Sequence, residues 1–423
     1  MRRSLTQLLR KGNGFALLLF CLGLLLSLLL GLRVLPAQTQ PVTPPVSSPS
    51  VPPPSTNPVQ IIPLKSVESA PIEGEVGIDR QIWGTGGIAA DRRALLQAID
   101  HSLTYLDTPQ AETAYANYAI SEFTRDRVRR SLIRFRQLVR TVRSPEALQA
   151  AVRREFDLYQ SIGSDGQGLV KFTGYFEPVY EASRVQTSEF RYPLYALPPD
   201  LAQWTRPHPT RRQLEGMDGL QGSQGRLRGL ELVWLRDRLE AYLVQIQGSA
   251  QLQLTDQTRI SIGYAGRTDY PYVSIGRELI NAGKIQPENL SLPIVIQYFR
   301  DHPTELSEYL PRNDRFIFFK ETTGTPATGS LRVPVTADRS IATDKSLMPP
   351  GALALIHTEI PLANAQRQIV PQTVSRYVLD QDTGGAIQGA GRVDIFMGTG
   401  QLAGDRAGLT LAAGQLYYLL LKE

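Results

Sequence analysis

The apolar positions divide the chain into stretches of different rhythm. A nearly unbroken apolar run from Phe15 to Leu32 comes first. From about residue 91 the spacing becomes helical, and after Gly166 it gives way to short strand-like runs broken by Gly and Pro that continue to the C-terminus. In the helical part Leu95, Leu96, Ile99, Leu103 and Leu106 share one face of a helix that begins near Asp91. Asp107-Thr108-Pro109 stops it and opens another. Val128, Leu132, Phe135, Val139 and Val142 mark the next helix, and Ser144-Pro145 starts a shorter one expected to reach about Tyr159. Among the strands one helical interruption stands out, Ser274 to Ala282 closed by Gly283, followed by a short helix opened near Ser291. The pattern predicts a mainly β chain with helices on its N-terminal side, and no internal repeat.

Composition alters this picture mainly at the N-terminus. Arg2, Arg3, Arg10 and Lys11 precede the apolar run, which ends in Leu35-Pro36-Ala37. Residues 1–37 are therefore a signal peptide or an uncleaved membrane anchor, which puts the protein in the periplasm or cell envelope. Cys21, the only cysteine, follows Phe20 within that run, so it lacks the small preceding residue of a lipoprotein signal and leaves no disulfide or thiolate site for the globular part. From Gln38 to about Val59 Pro, Ser, Thr and Val dominate, a stiff spacer within a linker drawn to residue 66. The formal charge of +5 suits an anionic partner, membrane phosphate or wall polymer. No helix-turn-helix, zinc-finger or RNP pattern accompanies it, so no nucleic-acid partner is expected. Arg125, Arg127, Arg129, Arg130, Arg134, Arg136, Arg140 and Arg143 surround one helix, as a solvated face or as a basic patch toward membrane or glycan.

Common catalytic signatures are missing. There is no Walker A loop, His-Glu-x-x-His helix or Gly-x-Ser-x-Gly elbow, and His101, His208, His302 and His357 lie in unrelated contexts. No metal or cofactor is expected. The distinctive stretch is 380–396, where Asp382 and Asp394 bracket a turn containing Gly384, Gly385, Gly389 and Gly391. A partly desolvated Asp394 would keep its proton toward neutral pH, as protonation of a departing sugar oxygen requires, and Asp382 could serve as a second carboxylate. Both could equally be turn residues that satisfy local amides.

Five segments, in order across residues 90 to 423, resemble the MltA family of lytic murein transglycosylases: Thr173-Gly-Tyr-Phe-Glu-Pro; Gln245-Ile-Gln-Gly-Ser249; Tyr264-Ala-Gly-Arg with Ser274-Ile-Gly-Arg; the run from Ser340 to Gly351; and Asp382 to Phe396. The last two resemble a 3D domain, whose three aspartates match Asp344, Asp382 and Asp394. The resemblance implies a double-psi β-barrel with an inserted second β-rich domain and a glycan groove between them. The corresponding boundaries are 67–185 for the helical region and first part of the catalytic domain, 186–322 for the insert and 323–423 for the 3D domain. It implies cleavage of the β-1,4 bond between N-acetylmuramic acid and N-acetylglucosamine in peptidoglycan strands, without water, to a 1,6-anhydro end. Asp394 is then acid and base, and Asp382 orients or tunes it. Thr173, Tyr175, Gln247, Gly248, Ser249 and Asp344 become substrate-binding candidates, although Gly248 could simply make a turn and Tyr175 could be core.

Two other readings compete. Asp382-Thr383-Gly384 matches the Asp-Thr-Gly of aspartic proteases, but it occurs once and follows Gln381 rather than an apolar residue. A non-catalytic glycan-binding barrel is the stronger rival, and the retained aspartates weigh against it.

Overall fold

The computed structural model describes residues 62–67, 74–84, 90–364, 366 and 368–423. The expected signal or anchor, and the linker up to residue 61, lie outside the described residues. Among the described residues no helix is long and apolar enough to cross a membrane.

In chain order the strands are β1 (Leu64–Val67), β2 (Phe156–Ser161), β3 (Val170–Glu177), β4 (Val179–Ser183), β5 (Tyr192–Tyr195), β6 (Glu231–Leu235), β7 (Ser249–Leu254), β8 (Arg259–Arg267), β9 (Ile317–Glu321), β10 (Ser340–Ala342), β11 (Leu353–Ala363), β12 (Ile369–Asp382), β13 (Arg392–Thr399) and β14 (Leu411–Leu421). One sheet runs β1-β2-β14-β11-β12-β10-β13-β3, and β3 pairs back onto β14. That second pairing closes six strands into a barrel, with β1 and β2 as an outward extension. Two of its pairings, β10 with β12 and β13 with β3, are parallel. The second sheet, β5-β6-β4-β7-β8-β9, is threaded between β3 and β10. The mainly β barrel with an inserted β-rich domain is thus present. The second sheet takes in β4, so the insert starts upstream of the expected boundary at 186, and the last residues of the expected linker enter β1.

Helices α1 (Arg92–Leu106), α2 (Pro109–Ala116), α3 (Arg125–Thr141) and α4 (Pro145–Glu155) pack on the barrel. Thr124 caps α3 by accepting from the Arg127 amide, and Val128, Leu132, Phe135 and Val139 turn inward. Each such side chain contributes about 1.5–3 kcal/mol on leaving water. This cover explains why Leu416 to Leu420 of β14 are buried on both faces instead of alternating. Most arginines of α3 are ion-paired, as on a solvated face. Arg127 is buried against Asp157, while Arg125, Arg129, Arg130, Arg134 and Arg136 pair with Glu112, Asp107, Asp126, Glu155 and Asp100.

Two helical expectations are corrected. The helix begun at Ser144-Pro145 stops at Glu155, because residues 156–161 pair as β2 with β14; that pairing outweighs local helical spacing. The insert contains α5 (Arg211–Glu215), α6 (Arg238–Gln247), α7 (Ile275–Asn281), α8 (Leu292–Asp301) and α9 (Leu306–Tyr309), and α10 (Gln401–Leu409) follows β13, so the interruption at Ser274 is one of several. Both ends of α6 are signalled locally, by Asp237 accepting from the Leu239 and Glu240 amides and by left-handed Gly248. Helix α10 is masked by Gly404 and Gly408, poor helix formers that are needed because a Cβ there would strike Phe176 and Pro293.

Candidate active site

The barrel topology brings the two aspartates of the glycine-rich stretch to opposite sides of one short strand. Ala342 of β10 is in register with Asp382 on parallel β12 and with Asp394 on antiparallel β13. Two strand spacings put their backbones roughly 10 Å apart. On its other side Asp394 is in register with Thr173 of β3.

Asp394 is held by one oxygen and open at the other. The Thr173 hydroxyl donates to Oδ1 at 2.8 Å, and Arg392 donates to that same hydroxyl at 3.1 Å. Oδ2 has no hydrogen-bond partner among the described residues. Burial pushes the carboxyl up to about 6; the Thr173 hydrogen bond and the Arg392 charge oppose this rise, and the Asp382 charge adds to it. Asp394 thus retains a proton in an appreciable fraction of molecules near neutral pH, and its carboxylate form is accessible at the same pH.

Asp382 is immobilised. Oδ1 accepts from the backbone amides of Ser330 and Thr383, both at 2.8 Å, and Oδ2 accepts from the Tyr175 hydroxyl at 2.8 Å. Burial raises its pKa, and these donors and Lys345 oppose the rise. The Ser330 loop comes this close because Gly329 has no side chain: a Cβ there would lie 2.6 Å from the Gln381 carbonyl oxygen. A carboxylate engaged by three donors is placed to exert a fixed field rather than to attack carbon.

The remaining candidates fall into different places. Tyr175 reaches Asp382 and tilts against Phe396. Gln247 closes α6 and accepts the Phe176 amide, joining insert to barrel beside Tyr175. Gly248 is the left-handed cap of that helix, and Ser249 begins β7 opposite Gly263. Asp344 points into its own loop, accepting from Ser346 and from the Gly389 amide, so it pins the glycine-rich turn. These bonds hold its pKa low against the effect of burial.

Sequence reasoning missed four residues. Asp380, two positions before Asp382, is fully buried and accepts from Thr343, Lys345 and Tyr418. Lys345 also donates to the Asp382 carbonyl, so the end of β12 is fastened by a half-buried cation. Arg392 was visible two residues before Asp394, on the same face of its strand. Tyr272, from the insert, lies within electrostatic reach of Asp394, Arg392 and Arg315, and nothing in the local sequence announces it.

The family model of the MltA specific insert domain matches residues 171–320, and that of the 3D domain matches residues 339–420. Membrane-bound lytic murein transglycosylase A of Escherichia coli K12 is 32% identical over 265 residues, 62% of this chain and 69% of the relative. The protein of that name from Vibrio cholerae is 33% identical over 265 residues, 62% of this chain and 68% of the relative. Among solved structures, E. coli MltA with bound chitohexaose aligns with a TM-score of 0.64 at 25% identity, covering 85% of this chain and 95% of that one. A membrane-bound lytic murein transglycosylase from Agrobacterium tumefaciens aligns with a TM-score of 0.63 at 27% identity, covering 82% and 97%.

Proposed function

Because the chain belongs to the membrane-bound lytic murein transglycosylase A family, we propose that it cuts peptidoglycan strands with Asp394 as its one proton-transferring group. The protein is a peptidoglycan-cleaving lytic transglycosylase, a lyase that breaks the β-1,4 bond between N-acetylmuramic acid and N-acetylglucosamine without water.

The reaction needs one proton delivered and one removed. Protonated Asp394 gives its proton to the glycosidic oxygen as the bond from that oxygen to the muramic C1 breaks. The C6 hydroxyl of the same muramic residue then bonds to C1 and returns its proton to the Asp394 carboxylate, leaving a 1,6-anhydro end. Attack from within the sugar has the advantage of proximity over a water molecule. Asp382, fixed by Tyr175 and two amides, holds negative charge near the positive charge developing at C1 and keeps the Asp394 pKa high. Thr173 aims Asp394, while Gln247, Gly248 and Ser249 form part of the groove wall. Asp344 acts through the loop it pins.

The observation that carries this reading is Asp394 itself: raised to about 6, tethered at Oδ1 and open at Oδ2. A glycan-binding protein without catalysis has no use for a carboxyl in that state. The test is mass spectrometry of purified peptidoglycan after incubation with the full chain. Anhydromuramic ends, lost in Asp394→Asn, are expected; reducing ends would mean a hydrolase. The periplasmic face of the envelope is the proposed location, with the N-terminal apolar run as export signal or anchor.

A further inference from the structure

The surroundings of Asp394 carry positive charge that glycan cleavage does not require. Lys171 and Arg392 are in register on the parallel pair β3–β13, two residues before Thr173 and Asp394. The two-residue period puts this pair on the same face as the catalytic pair, about 7 Å along the strands. Arg277, from the Ser274-Ile-Gly-Arg segment of the insert, is close enough to act electrostatically on Lys171. Tyr272 stands among Arg392, Arg315 and Asp394. Among the described residues Lys171, Arg277 and Arg392 have no carboxylate ion-pair partner, in contrast to the paired arginines of α3. The Arg392 Nε is buried with nothing to bond.

Like charges gathered without counter-ions raise the energy of the free protein, and an anion placed among them relieves it. The nearest acid, Asp394, gives up its charge whenever it holds the catalytic proton. Partial desolvation and the Arg392 and Arg277 charges hold the Lys171 pKa below its ordinary value, so the three cations act on one another.

Building on the transglycosylase reading, we propose that Lys171, Arg277 and Arg392 bind a carboxylate carried on the lactyl arm of the muramic residue at the cleavage point. The rest of the sugar backbone is neutral. The carboxylate has two sources: the lactyl group itself on peptide-free strands, and the stem peptide where one is attached. The cluster makes the enzyme select the muramic sugar, which its Asp394 chemistry does not do alone.

The test is equilibrium binding of the full chain to two ligand pairs, peptide-free strands and peptide-bearing strands, each with free or amidated carboxylates. Wild type is expected to bind the free form about tenfold more tightly than the amidated form in at least one pair, with the preference shrinking at high salt. Lys171→Gln with Arg277→Gln should remove most of that preference, and Lys171→Arg with Arg277→Lys should restore it, which separates charge from folding. Preference within the peptide-free pair assigns the lactyl carboxylate, and preference only within the peptide-bearing pair assigns the stem. No preference in wild type, or full preference in the glutamine variant, overturns the proposal. Binding is read without cleavage, so this failure leaves the transglycosylase reading standing; missing anhydro ends in the wild-type digest count against that reading instead.

Discussion

Replacing the proposed acid should make the protein more stable while making it inactive, and the gain should depend on pH. Burial raises Asp394 from 3.8 to about 6, so its ionised form is disfavoured in the folded state by roughly 3 kcal/mol relative to the unfolded chain. Its partial exposure and the unmatched N–H groups of a replacement amide reduce the recoverable part to about 1–2 kcal/mol. A folded pKa above the unfolded one means that the folded state binds more protons between the two values. The Asp394 contribution is therefore fully present below about 4 and is lost as pH rises through 6. Asp394→Asn keeps the shape and the Thr173 hydrogen bond but has no charge to desolvate. Urea unfolding of both proteins at pH 4, 6 and 8 gives the comparison. The variant should gain on wild type across this range by about 1–2 kcal/mol, with the gain complete by pH 8. A difference that is flat with pH, or that moves against the variant as pH rises, refutes the argument that burial holds the proton on Asp394.

Other perturbations test separate parts of the site. Thr173→Val removes the donor that opposes the raised pKa, so the alkaline limb of kcat/KM against pH should move up by about one unit; an unmoved limb would detach Thr173 from the acid. Asp382→Asn removes a charge that raises the Asp394 pKa, so the same limb should move down, and anhydro-product release should fall less than in Asp394→Asn. Equal or reversed losses would exchange the two roles. Away from the site, Asp79→Ala leaves buried Arg339 with Asp91 as its remaining carboxylate partner and should cost about 3–5 kcal/mol in urea unfolding; a loss below about 1 kcal/mol would show that the buried network is dispensable.

Much of the helical layer was legible because a helix buries one stripe and its caps are local. Leu95 and Ile99, the Thr108 start of α2 and the inward face of α3 are written in consecutive spacing. The stop of α4 was not, because Leu158 and Tyr159 take strand geometry from a partner more than 250 residues later in the chain. Helix α10 was hidden for a related reason: its glycines serve contacts with Phe176 and Pro293, and those contacts exist only once α10 has folded against β3 and the insert.

The site divides along the same line. From the sequence alone came the residue types, the order of the family segments and Asp382 and Asp394 as the pair to examine. The tertiary structure decided the environment of each, because a pKa and a hydrogen-bond partner are set by neighbours that backbone pairing supplies. Closing the barrel through β10 brings Asp382 and Asp394 to either side of Ala342, pairs Asp394 with Thr173, and turns Asp344 away toward Gly389. The unpaired cations around Asp394 follow likewise from β3, β13 and the insert meeting in space, where charges distant in sequence act on one another through a few ångströms of partly dry protein.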